Sequence, residues 1–219
     1  MRTRVKICGI TRVEDGVAAA SAGADAIGLI FWPGSPRCVA FGQARAIVAA
    51  LPAFVTVVGL FVDPQPEEVR ATMAAVPLDL LQFHGAETPG LCASFARPYI
   101  KAVPVRPGVD LLQYAAQFPA AHGLLFDAFE PGGLPGGTGT TFDWARLPPQ
   151  LTDPMSRRLI LSGGLTPQNV AAAVQQLHPW AVDVSTGVEV SDADGQPRKG
   201  IKSATKIIAF IREVRRADG

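Results

Sequence analysis

The sequence predicts an α/β fold, a closed (β/α)₈ barrel that occupies residues 1–219 as a single catalytic domain. Three observations predict it. Short apolar runs rich in Val, Ile, Leu and Phe alternate with longer helical patterns, as strands buried on both faces of a parallel sheet do. There are eight such units, and right-handed crossovers can carry eight parallel strands through a full circle. The first strand runs into Cys8-Gly9-Ile10-Thr11, without the G-x-G-x-x-G that would open a dinucleotide-binding sheet.

Strands are expected near 4–8, 25–31, 54–62, 78–83, 98–103, 122–127, 157–162 and 180–185. Helices follow near 12–22, 41–51, 65–75, 87–96, 109–117, 142–147, 167–177 and 202–216. Pro64 and Pro66 mark the start of the third helix, and Thr166-Pro167 supplies an N-cap and first-turn proline to the seventh. Pro148-Pro149 cuts the sixth helix short.

Composition narrows the partners. The formal charge is +1 and there is no long Lys/Arg run, so the electrostatic footprint of a nucleic-acid binder is missing. The basic stretch from Arg212 to Arg216 closes the last helix, where cations suit the negative end of the dipole. The apolar run 53–62 is half the length of roughly 20 residues that crosses a bilayer, so no membrane partner is expected. Asp15 and Asp25 interrupt any secretory core near the N-terminus, which points to the cytoplasm. Cys8, Cys38 and Cys92 show no paired spacing, so a disulfide framework is not expected, and Cys92 reads as a small core residue.

In such a barrel the active site lies at the C-terminal ends of the strands, which makes polar residues there candidates for function. Cys8, Arg37, His84, Asp127, Gly163-Gly164 and 183–187 fall at those ends, whereas His122 and His178 precede their strands. Gly163 and Gly164 let backbone approach a ligand, and the helix start that follows offers N–H groups to an anion. Ser185, Thr186 and Gly187 converge from the neighbouring turn, so the pair reads as a phosphate cradle. Alternation along Val182-Asp183-Val184 turns Asp183 toward the barrel mouth, to bind substrate hydroxyls or to pair with an interior lysine such as Lys6 or Lys101. The glycine-rich run 132–139 lacks a following Gly-Lys-Ser/Thr, so it reads as a mobile lid or a plain surface loop.

Asp127 ends an apolar strand whose low dielectric can raise a carboxyl toward use as a proton donor. Cys8 ends the first strand with Lys6 two residues earlier on the same face. A nearby cation favours the thiolate, although a buried thiol at such a position is often inert. Only His84 among the histidines lies on this face, so a metal-dependent epimerase is disfavoured, because a first-row metal site normally wants several ligands.

These motifs resemble those of the phosphoribosylanthranilate isomerase family of tryptophan biosynthesis, a group of TIM barrels, in order from Lys6 to the final helix. The match rests on Lys6-Ile7-Cys8-Gly9-Ile10-Thr11, Ser35-Pro36-Arg37, Gln82-Phe83-His84-Gly85, Gly136-Gly137-Thr138-Gly139 with Phe142-Asp143-Trp144, Gly163-Gly164-Leu165 with Asn169-Val170, and the run 183–189. The resemblance implies an Amadori rearrangement, aminoaldose to aminoketose, without cofactor or metal, on a small phosphorylated substrate. It implies Asp127 as the acid that opens the furanose ring and Cys8 as the base that removes the proton on C2. It implies that Arg37 faces the anthranilate carboxylate, that Asp183 reaches the sugar, and that Gly163, Gly164, Ser185, Thr186 and Gly187 bind phosphate. The chain departs from the family where Cys38 stands in place of a common tyrosine and Thr186 in place of a common serine, which leaves the packing of the anthranilate ring near Cys38 open. A monomer or a homodimer is expected. A barrel serving both this substrate and the related aminoaldose of histidine biosynthesis is disfavoured, because by the family comparison such enzymes carry aspartate where this chain has Cys8. A non-catalytic phosphate-binding barrel is disfavoured by the presence of both Cys8 and Asp127.

Overall fold

The computed structural model describes residues 2–128, 141–151 and 159–219. Eight parallel strands close into a barrel in sequence order. They are β1 (Arg4–Cys8), β2 (Ala26–Ile30), β3 (Thr56–Phe61), β4 (Leu80–Phe83), β5 (Tyr99–Val105), β6 (Gly123–Ala128), β7 (Leu159–Leu161) and β8 (Ala181–Val184). Closure comes from β1 against β8, with Lys6 opposite Asp183. The helices are α1 (Val13–Ala22), α2 (Phe41–Ala49), α3 (Pro66–Ala75), α4 (Pro89–Ala93), α5 (Leu111–Ala116), α6 (Val170–Leu177) and α7 (Ala204–Ala217).

The period of two along each strand sorts its side chains between two environments. On β6, Leu124 and Phe126 join the large core shared with the helices, whereas Leu125 enters a small interior cluster with Val58, Ile100, Ala102, Ile160 and Ala181. The next inward position on β6 is Asp127, and the same step leads from Ala181 to Asp183 and from Leu80 to Gln82. The lower interior is thus apolar and the upper interior polar.

Helix starts follow local chemistry. Glu68 accepts from the backbone N–H of Gln65 at 2.8 Å, with Pro66 at the first position of α3. Thr88, Asp110 and Ser203 cap α4, α5 and α7 through their side chains. The C-terminal basic run carries Arg215 and Arg216 in the last turn of α7, and Glu213 accepts from Arg216 at 2.8 Å.

Four departures from the expected elements have physical causes. The sixth helix is a single 3₁₀ turn, Trp144–Arg146, ended by Pro148-Pro149. The fourth helix shrinks to α4. The seventh begins at Val170, because the Asn169 side chain accepts from Thr166 N and donates to Gly164 O, holding 164–169 as a turn. The last helix starts later than expected, because 197–202 forms a strand. That strand, β10 (Pro197–Lys202), pairs antiparallel with β9 (Glu189–Ser191) in a hairpin unforeseen from the sequence. Asp192 Oδ1 shapes its turn by accepting from Asp194 N and Gln196 N, and Gly195 takes φ 79°. No helix among the described residues is long and apolar enough to cross a membrane.

Candidate active site

A cavity opens at the C-terminal ends of the strands, and every residue singled out for the site lines it. Sequence separation is no obstacle, since parallel strands deliver their last residues to one rim. The glycine-rich motif 136–139 lies outside the described residues.

One side of the cavity is built from the turns after β7 and β8. Gly163 and Gly164 adopt φ of 86° and 60°, a conformation that side chains resist. A Cβ at Gly163 would also lie 2.6 Å from Ala128 N and 3.0 Å from Asp127 Oδ1, so only glycine lets this turn pass beside Asp127. Across from it, Thr186 Oγ1 accepts from Arg37 Nη2 at 3.0 Å, and Ser185 accepts from Lys202 Nζ through both its carbonyl and its hydroxyl. The anticipated helix start contributes less than expected, because Asn169 already occupies the N–H of Thr166.

Arg37 is buried, and its planar fork meets Glu189 with Nε–Oε1 and Nη2–Oε2 distances of 2.7 and 2.8 Å. Glu189 is fully buried and also accepts from Gly200 N at 2.7 Å and Lys202 Nζ at 3.1 Å. Burial alone would raise its carboxyl, but Arg37 and Lys202 outweigh that and hold it below the usual carboxylate range. Burial pushes the Lys202 ammonium down to about 8 despite its carboxylate partner. Asp15 of α1 anchors this hairpin by accepting from Lys202 N at 2.9 Å. The two-donor fork read from the sequence therefore faces Glu189, which leaves the Nη1 edge of Arg37 for the cavity.

On the opposite rim, Asp183 pairs with Lys6 at 2.7 Å, and both are buried. Lys101 is excluded as the partner because it projects from β5 toward the helices, where it meets Glu87 at 3.1 Å and lies 5.6 Å from the Phe118 ring. The second oxygen of Asp183 lies 3.4 Å from Ser162 Oγ, and the carboxylate still lines the cavity. Cys8 sits beside this pair, opposite Gly28 of β2, where a Cβ would come within 2.8 Å of its sulfur. Burial pushes the Cys8 thiol up; Lys6 pulls it down only in part, and Asp183 adds to the rise. The cation beside Cys8 is present as expected, yet desolvation outweighs it.

Asp127 Oδ2 lies 3.1 Å from His84 Nε2, and His84 Nδ1 lies 2.9 Å from Gln82 Nε2. Apolar surface completes the cavity: Cys8, Ile30 and Leu60 form a cluster on which Trp32 and Val62 pack. Cys38 is exposed and does not line the cavity, whereas Trp32 does. Sequence reasoning missed Gln82, Trp32, Glu189 and Lys202 as parts of the site. Gln82 and Trp32 carried a signal, lying inward of or just beyond a strand end; Glu189 and Lys202 belong to the unforeseen hairpin. Among the described residues, no group of three or more His, Cys, Asp or Glu is arranged to hold a metal ion.

A closed parallel barrel with a glycine-turn anion cradle, facing a thiol and a carboxyl across one mouth, defines a phosphate-binding (β/α)₈ enzyme. The family model for N-(5'-phosphoribosyl)anthranilate isomerase matches residues 5–213, so the chain belongs to that family, whose reaction is a step of tryptophan biosynthesis. The N-(5'-phosphoribosyl)anthranilate isomerase of Pseudomonas fluorescens is 55% identical over 216 residues, covering 99% of this chain and 97% of that one. The crystal structure of phosphoribosyl anthranilate isomerase from Thermus thermophilus superposes with a TM-score of 0.83 at 39% identity, covering 98% of this chain and 99% of that one. A phosphoribosyl anthranilate isomerase in complex with reduced 1-(o-carboxyphenylamino)-1-deoxyribulose 5-phosphate matches with a TM-score of 0.81 at 36% identity, over 97% of this chain and 98% of that one.

Proposed function

We propose that this chain, acting as one catalytic domain, converts N-(5'-phosphoribosyl)anthranilate to 1-(2-carboxyphenylamino)-1-deoxyribulose 5-phosphate by general acid–base catalysis. The observation that carries the mechanism is the convergence of Asp127 and Cys8, from strands five positions apart in order, on a cavity that also holds the glycine turns. Phosphate seats against Gly163, Gly164, Ser185, Thr186 and Gly187. The anthranilate carboxylate meets the Nη1 edge of Arg37, and its ring lies on the apolar surface of Ile30, Leu60 and Trp32. The Asp183 carboxylate, held by Lys6 and Ser162 and lining the cavity, faces the ribose.

Asp127 gives a proton to the furanose oxygen, and the ring opens to a protonated Schiff base. Cys8 as the thiolate then removes the proton on C2, and the electron pair flows to nitrogen to form an enolamine. Return of a proton to C1 and loss of one from the C2 hydroxyl complete the ketone. Burial raises the Cys8 thiol, so the thiolate, once its proton has passed to solvent, is a stronger base toward C2 and returns the proton it takes there to C1. Turnover followed by loss of the fluorescent anthranilate adduct tests this reading. Wild-type chain should turn over, and Cys8→Ser should lose on the order of 10²-fold or more while keeping its fold. Near-normal turnover by Cys8→Ser would remove the base assignment.

A further inference from the structure

Gln82 is fully buried on the inner face of β4, and its Oε1 is a buried oxygen with no hydrogen-bond partner among the described residues. Its Nε2 faces His84 Nδ1 at 2.9 Å, and His84 Nε2 faces Asp127 Oδ2 at 3.1 Å. An amide nitrogen only donates, so Nδ1 accepts and the imidazole hydrogen sits on Nε2, directed at the Asp127 carboxylate. This arrangement holds no proton for the substrate.

Adding one proton changes the hydrogen bond to Gln82 wherever the proton goes. If it goes to the imidazole, Nδ1 becomes a donor and faces the amide N–H group. If it goes to Asp127 Oδ2, that O–H needs an acceptor at Nε2, and the imidazole hydrogen moves to Nδ1. In both forms Nδ1 carries hydrogen and requires an acceptor from Gln82. The unpartnered Oε1 supplies it by a half-turn of the amide.

We propose that the proton given to the furanose oxygen is held by the His84–Asp127 pair, and that Gln82 is the positioning residue whose amide turns to stabilise the loaded form. The proposal rests on the assignment of Asp127 as the acid. Its proton count closes: the pair loses one proton to the ring oxygen and regains one from the C2 hydroxyl as the enolamine becomes the ketone. Around the same cavity stand Lys6 and Cys8 of β1, Arg37, and Asp183 of β8, while Asp63, Glu87 and Lys101 lie behind the turn after His84. Arginine stays charged, the two lysines are held in buried ion pairs, and burial keeps the thiol high.

The test combines the pH dependence of kcat with ¹⁵N resonances of the histidine rings, of which the chain has three, His84 being assigned by its loss in His84→Asn. At high pH His84 should show Nε2–H and an unprotonated Nδ1. Gln82→Glu, an acceptor at all working pH, should move the His84 titration and the lower inflection of kcat upward by about one unit. Gln82→Leu should move both downward and lower kcat about tenfold or more with KM within about twofold. A His84 that carries hydrogen on Nδ1 at high pH in the wild type overturns the proposal, as do shifts of the same sign in the two Gln82 variants. The wild-type spectrum decides even if Gln82→Leu fails to fold. An inactive Asp127→Asn beside a His84→Asn of normal kcat and pH profile would mean that Asp127 acts alone. An active Asp127→Asn would remove the acid assignment itself.

Discussion

The lower and upper halves of the barrel interior are made by the same strands, yet they do different work. Val58, Leu125, Ile160 and Ala181 form an apolar cluster in the lower half. Two residues further along β6 and β8 stand Asp127 and Asp183, and Gln82 and Cys8 occupy the same upper level from β4 and β1. The difference teaches that position along a strand, rather than choice of strand, separates stability from chemistry. An inward step of two residues moves a side chain by about 7 Å, from a sealed core to the mouth. The lower half has no partner to lose except packing, whereas the upper half keeps each charge only by pairing it.

The comparison breaks first at Asp127. Asp127→Asn should reduce kcat/KM by on the order of 10²–10⁴, which is about 3–5 kcal/mol of barrier, while the thermal unfolding midpoint stays near that of wild type. An equal loss of stability would mean that the upper half is also structural support.

Glu189→Ala should be the costliest change for stability, because it strands Arg37 and Lys202 without their buried carboxylate. Breaking such a pair costs about 3–5 kcal/mol, read by denaturant unfolding. Glu189→Gln separates charge from shape and carries a pH signature. The native carboxyl lies below its unfolded value, so its contribution is complete above the unfolded pKa of about 4.3 and disappears as pH falls through the lower native value. The variant should show a shallower loss of stability in that acid range.

Leu125→Ala is the converse probe. It should cost about 2–5 kcal/mol in unfolding free energy through the cavity left in the lower interior, with kcat of the folded enzyme preserved. A tenfold fall in kcat would show that the apolar layer sets the geometry of Asp127. The mildest test is competition: inorganic phosphate should inhibit competitively against substrate, with KM rising and kcat unchanged. Noncompetitive inhibition would move the anion away from the glycine turns.

Much of this was legible before any coordinates, for local reasons. Strand ends assigned Cys8 and Asp127 to the mouth, alternation assigned Asp183, and the glycine turns marked the loops that line the cavity beside them. Thr166-Pro167 misled, because the Asn169 side chain captured the turn and delayed α6. Cys38 drew attention as a departure from the family pattern, yet it is exposed, and the aromatic surface in the cavity comes from Trp32, placed there by how the loop after β2 folds back.

By itself, then, the sequence determined the barrel, the strand-end residues and the glycine turns at its mouth, since each follows from short-range periodicity, backbone preference or motif order. Only the tertiary structure decided which charges meet. Arg37 and Glu189 are 152 positions apart, and Lys6 and Asp183 are 177 apart. No local rule pairs residues at such separations, because their energies depend on burial and on distances fixed by barrel closure and hairpin docking. The same holds for Cys8: Lys6 two residues away suggested a thiolate, whereas the desolvation that keeps the resting thiol protonated exists only once eight strands have closed around it.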